Sequence, residues 1–222
     1  MRLPGFVREL IPIEMRLRVR EAIWGGVYPS AFDEYKCIFV HVPKTAGISV
    51  SEAMFGGQVG HLRLRDYEAA DAIKFDKYFK FAFVRNPWDR LFSAYTFLRQ
   101  GGAHQDDRNW AINNIINFNS FERFVCEWLN IENAYSWVHF VPQFVFLTGS
   151  NNKIALDFIG RYESLHADFF LLSDKLGLNA KLAHQNKSTS MNYVDAYTDE
   201  MIEIVRYVYS EDILALGYEF EC

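Results

Sequence analysis

Two short runs of β-branched and aromatic residues restrict the folds that this 222-residue chain can adopt. Residues 36–42 (KCIFVHV) and 79–84 (FKFAFV) are apolar at nearly every position, as in central strands whose two faces are both covered. A helical pattern follows each run, which is typical of parallel strands joined through helices. The alternation predicts an α/β fold, a three-layer sandwich with a central, mainly parallel sheet flanked by helices.

The same patterns place the other elements. We predict helices at residues 48–55, 66–74, 87–100, 121–129, 164–176 and 198–216, and extended segments at residues 144–147 and 158–162. Residues 101–119 and 185–192 are polar, and we expect long loops there that close over a site. Because no repeat or linker divides the chain, residues 36–222 are predicted to form one domain after an N-terminal helical extension at residues 1–35.

The charge of the chain restricts its partners. With 23 Lys and Arg residues against 28 Asp and Glu residues, the net charge is −5, and we expect no binding of nucleic acid. Any anionic ligand must then be held by a local site. Five arginines lie among apolar residues near the N-terminus, which leaves two alternatives: a basic amphipathic helix on a membrane surface, or an ordinary packed surface helix.

The cysteines indicate the cellular compartment. Cys37, Cys126 and Cys222 are far apart and lack Cys-x-x-Cys spacing, so we expect reduced thiols and a cytoplasmic protein. No stretch reaches the roughly 18 consecutive apolar residues of a membrane span. No His, Cys and Asp cluster has the spacing of metal ligands, and no metal site is predicted.

The segment after the first predicted strand has the features of an anion site. Its residues are Pro43, Lys44, Thr45, Ala46, Gly47, Ile48 and Ser49. A turn from a buried strand into a helix directs backbone N–H groups and the helix N-terminus at one point. Lys44 adds a positive charge, Thr45 and Ser49 add hydroxyl groups, and Gly47 lets the backbone approach a ligand. The alternative is a capped helix start that carries a surface lysine.

A second basic residue follows the second predicted strand. Arg85 stands at the strand's carboxyl end, where ligands bind in open α/β sheets, and Ser93 follows two helical turns later, within reach of a second phosphate. The alternatives are an ion pair of Arg85 with Asp66 or Asp89, and a solvated position for Ser93. A nucleoside triphosphatase is disfavoured, because Arg85 replaces the aspartate that holds magnesium there and the first turn lacks the glycines of G-x-x-x-x-G-K-[ST].

Together, residues 43–49 (PKTAGIS) and 83–95 (FVRNPWDRLFSAY) resemble the cofactor-binding motifs of sulfotransferases that use 3′-phosphoadenosine-5′-phosphosulfate (PAPS). The chain is similar to the carbohydrate group that contains heparan sulfate 2-O-sulfotransferases and their bacterial relatives. The likeness covers residues 36–220, including GHLRL, GRYESL and the terminal DILALGYEF. It implies a P-loop-like fold that moves a sulfuryl group from PAPS to a hydroxyl of a glycan or glycolipid and releases adenosine 3′,5′-bisphosphate (PAP).

The resemblance also implies residue roles. The turn at residues 43–49 would hold the 5′-phosphosulfate, with Lys44 stabilising the leaving phosphate. The residues expected at the 3′-phosphate are Arg85, Ser93, Lys187 and Ser188. His61 would be the general base, as the histidine between the two motifs. The residues expected at the acceptor are Glu163 and Gln143.

Some roles stay open at this point. Glu163 is a second candidate for the base, because burial would raise the pKa of a carboxylate, and it could instead orient Lys44. Val59 stands where vertebrate relatives carry a second histidine, two residues before the base. We interpret His41, inside the first strand, as a structural residue. The alternative function is a nucleotide-binding or kinase-like P-loop protein that does not transfer sulfuryl groups.

Overall fold

The computed structural model describes residue 15 and residues 26–178, 180–182 and 192–220, which form two compact units. The sheet unit comprises residues 26–85, 143–178 and 180–182 with residue 15, and the helical unit comprises residues 86–142 and 192–220. Most of the predicted N-terminal extension lies outside the described residues, so its boundary at residue 35 stays a prediction. Within the described part, no helix combines the length and the apolar character needed to cross a bilayer.

Three parallel strands form the sheet of the sheet unit. They are β1 (Cys37–Val40), β2 (Phe79–Val84) and β3 (Phe158–Arg161), in the order β1-β2-β3. Val40 pairs with Ala82, and Val84 pairs with Arg161. The carboxyl ends of the three strands therefore lie side by side at one edge. β1 is buried at every position, as predicted, but among the described strands it lies at an edge of the sheet and β2 is the central strand.

Helices occupy most of the remaining described chain. In order they are α1 (Ser30–Tyr35), α2 (Gly47–Phe55), α3 (Leu64–Ala70), α4 (Ala72–Lys77), α5 (Pro87–Arg99), α6 (Gln105–Asn114), α7 (Phe121–Trp128), α8 (Ile131–Ala134), α9 (Phe144–Leu147), α10 (Leu165–Lys175), α11 (Asp199–Val208) and α12 (Ser210–Leu216). Single 3₁₀ turns lie at Tyr162–Ser164 and Tyr193–Ala196. In the sheet unit, α1 packs on β1 and α10 packs on β3. The predicted α/β fold, with helices flanking a parallel sheet, is confirmed.

Local sequence explains where several helices begin and end. α2 ends at Gly56, which adopts the left-handed conformation (φ 66°) that favours glycine. The Asn86 side chain accepts the N–H of Trp88, and Pro87 takes the first position of α5, as predicted. The single helix predicted at residues 66–74 is instead divided into α3 and α4, because the extended residue Asp71 caps the second of them.

The helix predicted at residues 198–216 is likewise divided, into α11 and α12 at Tyr209, and two further segments differ in type from the prediction. Residues 144–147, expected to be extended, form the single helical turn α9, since a four-residue apolar run fits either a strand or a buried helical turn. Residues 101–119, expected to be a loop, contain α6. Only Asp107 and Ala111 of this helix are buried, so its sequence shows too narrow an apolar stripe to be recognised.

The helical unit has an aromatic core. Helix α5 buries four large side chains there, one on each successive turn: Trp88, Leu91, Tyr95 and Leu98. Its core partners on α7 and α11 include Phe121, Phe124, Val125, Trp128, Met201 and Val205. Full burial of such a side chain contributes about 1.5–3 kcal/mol, so burial of this cluster stabilises the helical unit.

Candidate active site

The turn between β1 and α2 has an unusual backbone. Lys44 and Ala46 have φ angles of 70° and 63°, in the left-handed region that residues other than glycine rarely adopt. Left-handed residues within a turn direct neighbouring N–H groups into one concavity, which is an anion-binding arrangement. Ala46 is also the N-cap of the nine-residue helix α2, and its methyl side chain cannot accept the N–H groups of the first helical turn. The backbone therefore supports the predicted phosphate site.

Thr45 and Gly47 of the turn are constrained by contacts inside the protein. The Thr45 hydroxyl is buried and donates to the carbonyl oxygen of Val42 at 2.9 Å, which braces the turn. The backbone of Thr45 is thus better suited than its hydroxyl to donate to a phosphate. At Gly47, a Cβ atom would lie 2.0 Å from Cδ2 of His41, so this position has no room for a side chain.

Arg85 lies beside this turn. Its Nη1 atom donates to the carbonyl oxygen of Lys44 at 3.2 Å, and its guanidinium carbon lies 3.8 Å from the centre of the Tyr162 ring. Such a cation–π contact stabilises a cation by about 0.5–2 kcal/mol and also restrains its position. The structure therefore brings a second positive charge to the predicted anion site.

Gln143 holds the backbone of Arg85. Its Oε1 accepts the Arg85 N–H at 3.0 Å, and its Nε2 donates to the Arg85 carbonyl oxygen at 2.8 Å. The Gln143 side chain is 0% exposed. This residue was predicted to contact the acceptor, and that contact stays a prediction. What the structure adds is a positioning role, because the amide forms two bonds to the end of β2.

His61 is oriented by the end of the first strand. Its Nδ1 lies 2.9 Å from the carbonyl oxygen of His41. Because a carbonyl oxygen only accepts, Nδ1 carries the proton and, in the neutral ring, Nε2 carries the lone pair. This is the tautomer that a general base needs at Nε2. The structure thus places His61 next to the turn, in a form that can accept a proton.

The other predicted residues fall into two groups. In the sheet unit, Glu163 is exposed in the 3₁₀ turn after β3, Ile48 is 45% exposed and Ser49 is half-buried. In the helical unit, Ser93 lies half-buried on α5. A phosphate site shared by Arg85 and Ser93 stays a prediction. Lys187 and Ser188 lie outside the described residues.

Three contacts of this site were missed from the sequence. The Tyr162 ring under Arg85 and the Gln143 amide bonds join residues far apart in the chain, and no local pattern reports them. His41 had a weak signal: it follows Phe39 by two positions, so both side chains share a strand face, and their rings stack at 5.6 Å.

Fold and site together define an α/β protein with a turn suited to anion binding at the carboxyl ends of parallel strands. The profile of the sulfotransferase family matches residues 31–219, and the chain belongs to that family. An uncharacterized protein of Archaeoglobus fulgidus is 30% identical to it over 122 residues, which are 54% of this chain and 85% of that protein. No solved structure gives a significant match.

Proposed function

We propose that the protein transfers a sulfuryl group from PAPS to a hydroxyl group of a carbohydrate acceptor, a glycan or glycolipid. One observation carries the proposal: the Arg85 guanidinium lies 3.2 Å from the carbonyl oxygen of Lys44, at the turn where Lys44 and Ala46 adopt left-handed backbone angles. Two cations and a concave backbone at one strand edge suit a ligand with two phosphate groups.

The proposed reaction begins with a proton transfer. Nε2 of His61 accepts the proton of the acceptor hydroxyl, and the hydroxyl oxygen attacks the sulfur of PAPS in line with the bond that breaks. The sulfur–oxygen bond to the 5′-phosphate breaks as the new one forms, and PAP is released. Lys44 and the N–H groups of the turn stabilise the negative charge that develops on the departing phosphate.

Different residues are proposed to bind the 5′-phosphosulfate and the 3′-phosphate of PAPS. Residues 43–49 are proposed to hold the 5′-phosphosulfate, and the residues proposed for the 3′-phosphate are Arg85, Ser93, Lys187 and Ser188. Glu163 and Gln143 are the residues proposed nearest the acceptor. The likeness to carbohydrate sulfotransferases supports the acceptor class, and the absence of Cys-x-x-Cys spacing supports a cytoplasmic location. The basic N-terminal segment is the part of the chain proposed to contact a membrane.

Calorimetric titration tests the cofactor assignment. PAP should bind in the absence of magnesium, and more tightly than ATP with magnesium. In Arg85→Ala the affinity for PAP should fall by about 1.5–3 kcal/mol, roughly 10–150-fold, because a charge-assisted contact is lost. Binding of adenosine 5′-monophosphate, which lacks the 3′-phosphate, should change much less.

Arg123→Ala provides the matched control. Arg123 is exposed and paired with Glu127 at 2.6 Å on α7, so its removal should leave PAP binding unchanged. Equal losses for PAP and the monophosphate in Arg85→Ala would refute the assignment of Arg85 to the 3′-phosphate. Preferential binding of ATP with magnesium would instead support a kinase-like protein.

A further inference from the structure

The His41 side chain is enclosed next to the segment that carries His61. It is 3% exposed, and its Nδ1 lies 2.6 Å from the carbonyl oxygen of Val59. Since a carbonyl oxygen only accepts, Nδ1 of His41 is the donor. Val59 precedes His61 by two residues, so the ring of His41 holds the backbone of that segment. In return, the backbone carbonyl of His41 accepts from Nδ1 of His61 at 2.9 Å.

The His41 ring also contacts the phosphate-binding turn. The φ of Gly47 lies outside the left-handed region, so its conformation does not require glycine. A Cβ atom at Gly47 would nevertheless lie 2.0 Å from Cδ2 and 2.3 Å from Nε2 of His41. These distances are far below van der Waals contact. Gly47 is therefore a glycine because the imidazole of His41 lies against the first residue of α2.

Ring packing leaves the His41 imidazole little freedom. It stacks on Phe39 with ring centres 5.6 Å apart and an interplanar angle of 12°. On another side, the centre of the His61 ring is 4.1 Å away. With Phe39, Gly47 and His61 around it and Val59 bonded to Nδ1, one side chain contacts both the phosphate-binding turn and the candidate base.

We propose that His41 is a positioning residue for sulfuryl transfer, which holds His61 against the phosphate-binding turn and maintains the tautomer with the lone pair at Nε2. This inference rests on the proposed role of His61 as general base. Displacement of the base from the acceptor hydroxyl by even about 1 Å lowers the rate of transfer. The contacts of the turn with phosphate do not depend on that base. We therefore expect loss of the His41 ring to lower kcat and to leave the affinity for PAPS nearly unchanged.

The first experiment compares His41→Ala with His41→Asn. In His41→Ala, kcat should fall by about 10–100-fold while the KM for PAPS and the affinity for PAP stay within about 3-fold. Asn places an amide N–H close to the position of Nδ1, so His41→Asn should recover part of the rate by restoring the bond to Val59. Nitrogen NMR should show His61 as the Nδ1–H tautomer in the wild type and as a tautomer mixture in His41→Ala.

Exposed His104 offers the control, since His104→Ala should change none of these quantities. A normal kcat in His41→Ala with an unchanged His61 tautomer would overturn the inference. If His41→Ala does not fold, His41→Asn supplies the same readouts, and loss of the tautomer there would equally contradict the proposed bond to Val59.

A second experiment is independent of activity. Thermal unfolding of Gly47→Ala, His41→Ala and the double variant forms a mutant cycle. Gly47→Ala should be strongly destabilising in the wild type and nearly neutral in the His41→Ala background, because the clash is with the imidazole. The same cost in both backgrounds would overturn the proposed contact.

The two proposals fail in different ways. Normal turnover in His61→Ala would refute the assignment of His61 as general base and, with it, the proposed role of His41 in the reaction. A loss of turnover in His61→Ala together with normal turnover in His41→Ala would overturn only the positioning role of His41.

Discussion

Lys44, Arg85 and His61 are the side chains on which the proposed transfer depends, and a different kind of contact positions each of them. Lys44 is placed by its own backbone, whose φ of 70° belongs to the turn. Arg85 is placed by the ring of Tyr162 and by the carbonyl oxygen of Lys44. His61 is placed by the carbonyl oxygen of His41. The proposed chemistry therefore relies on backbone groups as much as on side chains.

Substitution of His61 tests its proposed role as general base. In His61→Ala, the rate of transfer should fall by about 10²–10⁴-fold, because a positioned general base contributes roughly that factor. The affinity for PAP should stay near that of the wild type, since the base acts on the acceptor proton. His61→Asn keeps a polar side chain and should not restore the rate. Single-turnover kinetics and PAP titration measure the two effects separately.

Glu163 provides the competing outcome. Glu163 is exposed in the 3₁₀ turn after β3, and its carboxylate is the alternative group for accepting the proton of the acceptor hydroxyl. Near-normal turnover in His61→Ala, with Glu163→Gln inactive, would move the role of base to Glu163.

Among the elements, β3 depends on a close approach to β2. Gly160 pairs with Phe83, and a Cβ atom at Gly160 would lie 2.4 Å from the Phe83 ring. The absent side chain lets an aromatic residue of β2 lie across β3. β3 leads directly into Tyr162, the residue under Arg85, so this packing also affects the site.

Gly160→Ala should lower the free energy of unfolding by about 1–3 kcal/mol, the usual cost of overpacking a core. Urea denaturation measures this change. Gly57→Ala is the matched control, because no atom lies within 4 Å of a Cβ built there and its φ is not left-handed, so the change should be within about 0.5 kcal/mol. Equal stability of the two variants would contradict this prediction, because it would show that the Phe83 ring makes room for a methyl group at Gly160 without a loss of stability.

For the molecule as a whole, the response to acid is set in part by a buried carboxylate of the helical unit. Asp107 is 4% exposed and accepts from the Ala103 N–H, from Trp137 Nε1 and from His139 Nε2, at 3.1, 3.1 and 3.3 Å. Burial raises the pKa of the Asp107 carboxyl, but the hydrogen bond and charge of His139, with the other two donors, outweigh it. The pKa of Asp107 is therefore well below its usual value.

A lowered carboxyl pKa gives the sign of the pH dependence. The stabilisation is present above the unfolded pKa of about 3.9 and is lost as the pH falls below it toward the folded pKa. Asp107→Asn should lower stability at neutral pH by about 1–3 kcal/mol and flatten its decline below about pH 4. Asp174→Asn, at an exposed site on α10, should do neither. Thermal unfolding between pH 2 and 7 provides the test, and parallel curves for wild type and Asp107→Asn would contradict it.

The sequence alone was sufficient for features that depend on neighbouring residues. The buried strands, the end of α2 at Gly56 and the start of α5 at Asn86 were predicted because strand burial and helix capping act within a few residues. The family was recognised from two motifs, each confined to one short segment of the chain. The short apolar run at residues 144–147 was assigned wrongly because four residues do not distinguish a strand from a helical turn.

Only the tertiary structure decided which atoms of these residues meet. His61 and the carbonyl of His41 are 20 residues apart, and Arg85 and Gln143 are 58 residues apart. The histidine tautomer, the orientation of the guanidinium and the need for glycine at Gly47 all follow from such contacts. A pattern of local propensities carries no information about a hydrogen bond or a clash between distant segments, because these exist only once the sheet has brought the segments together.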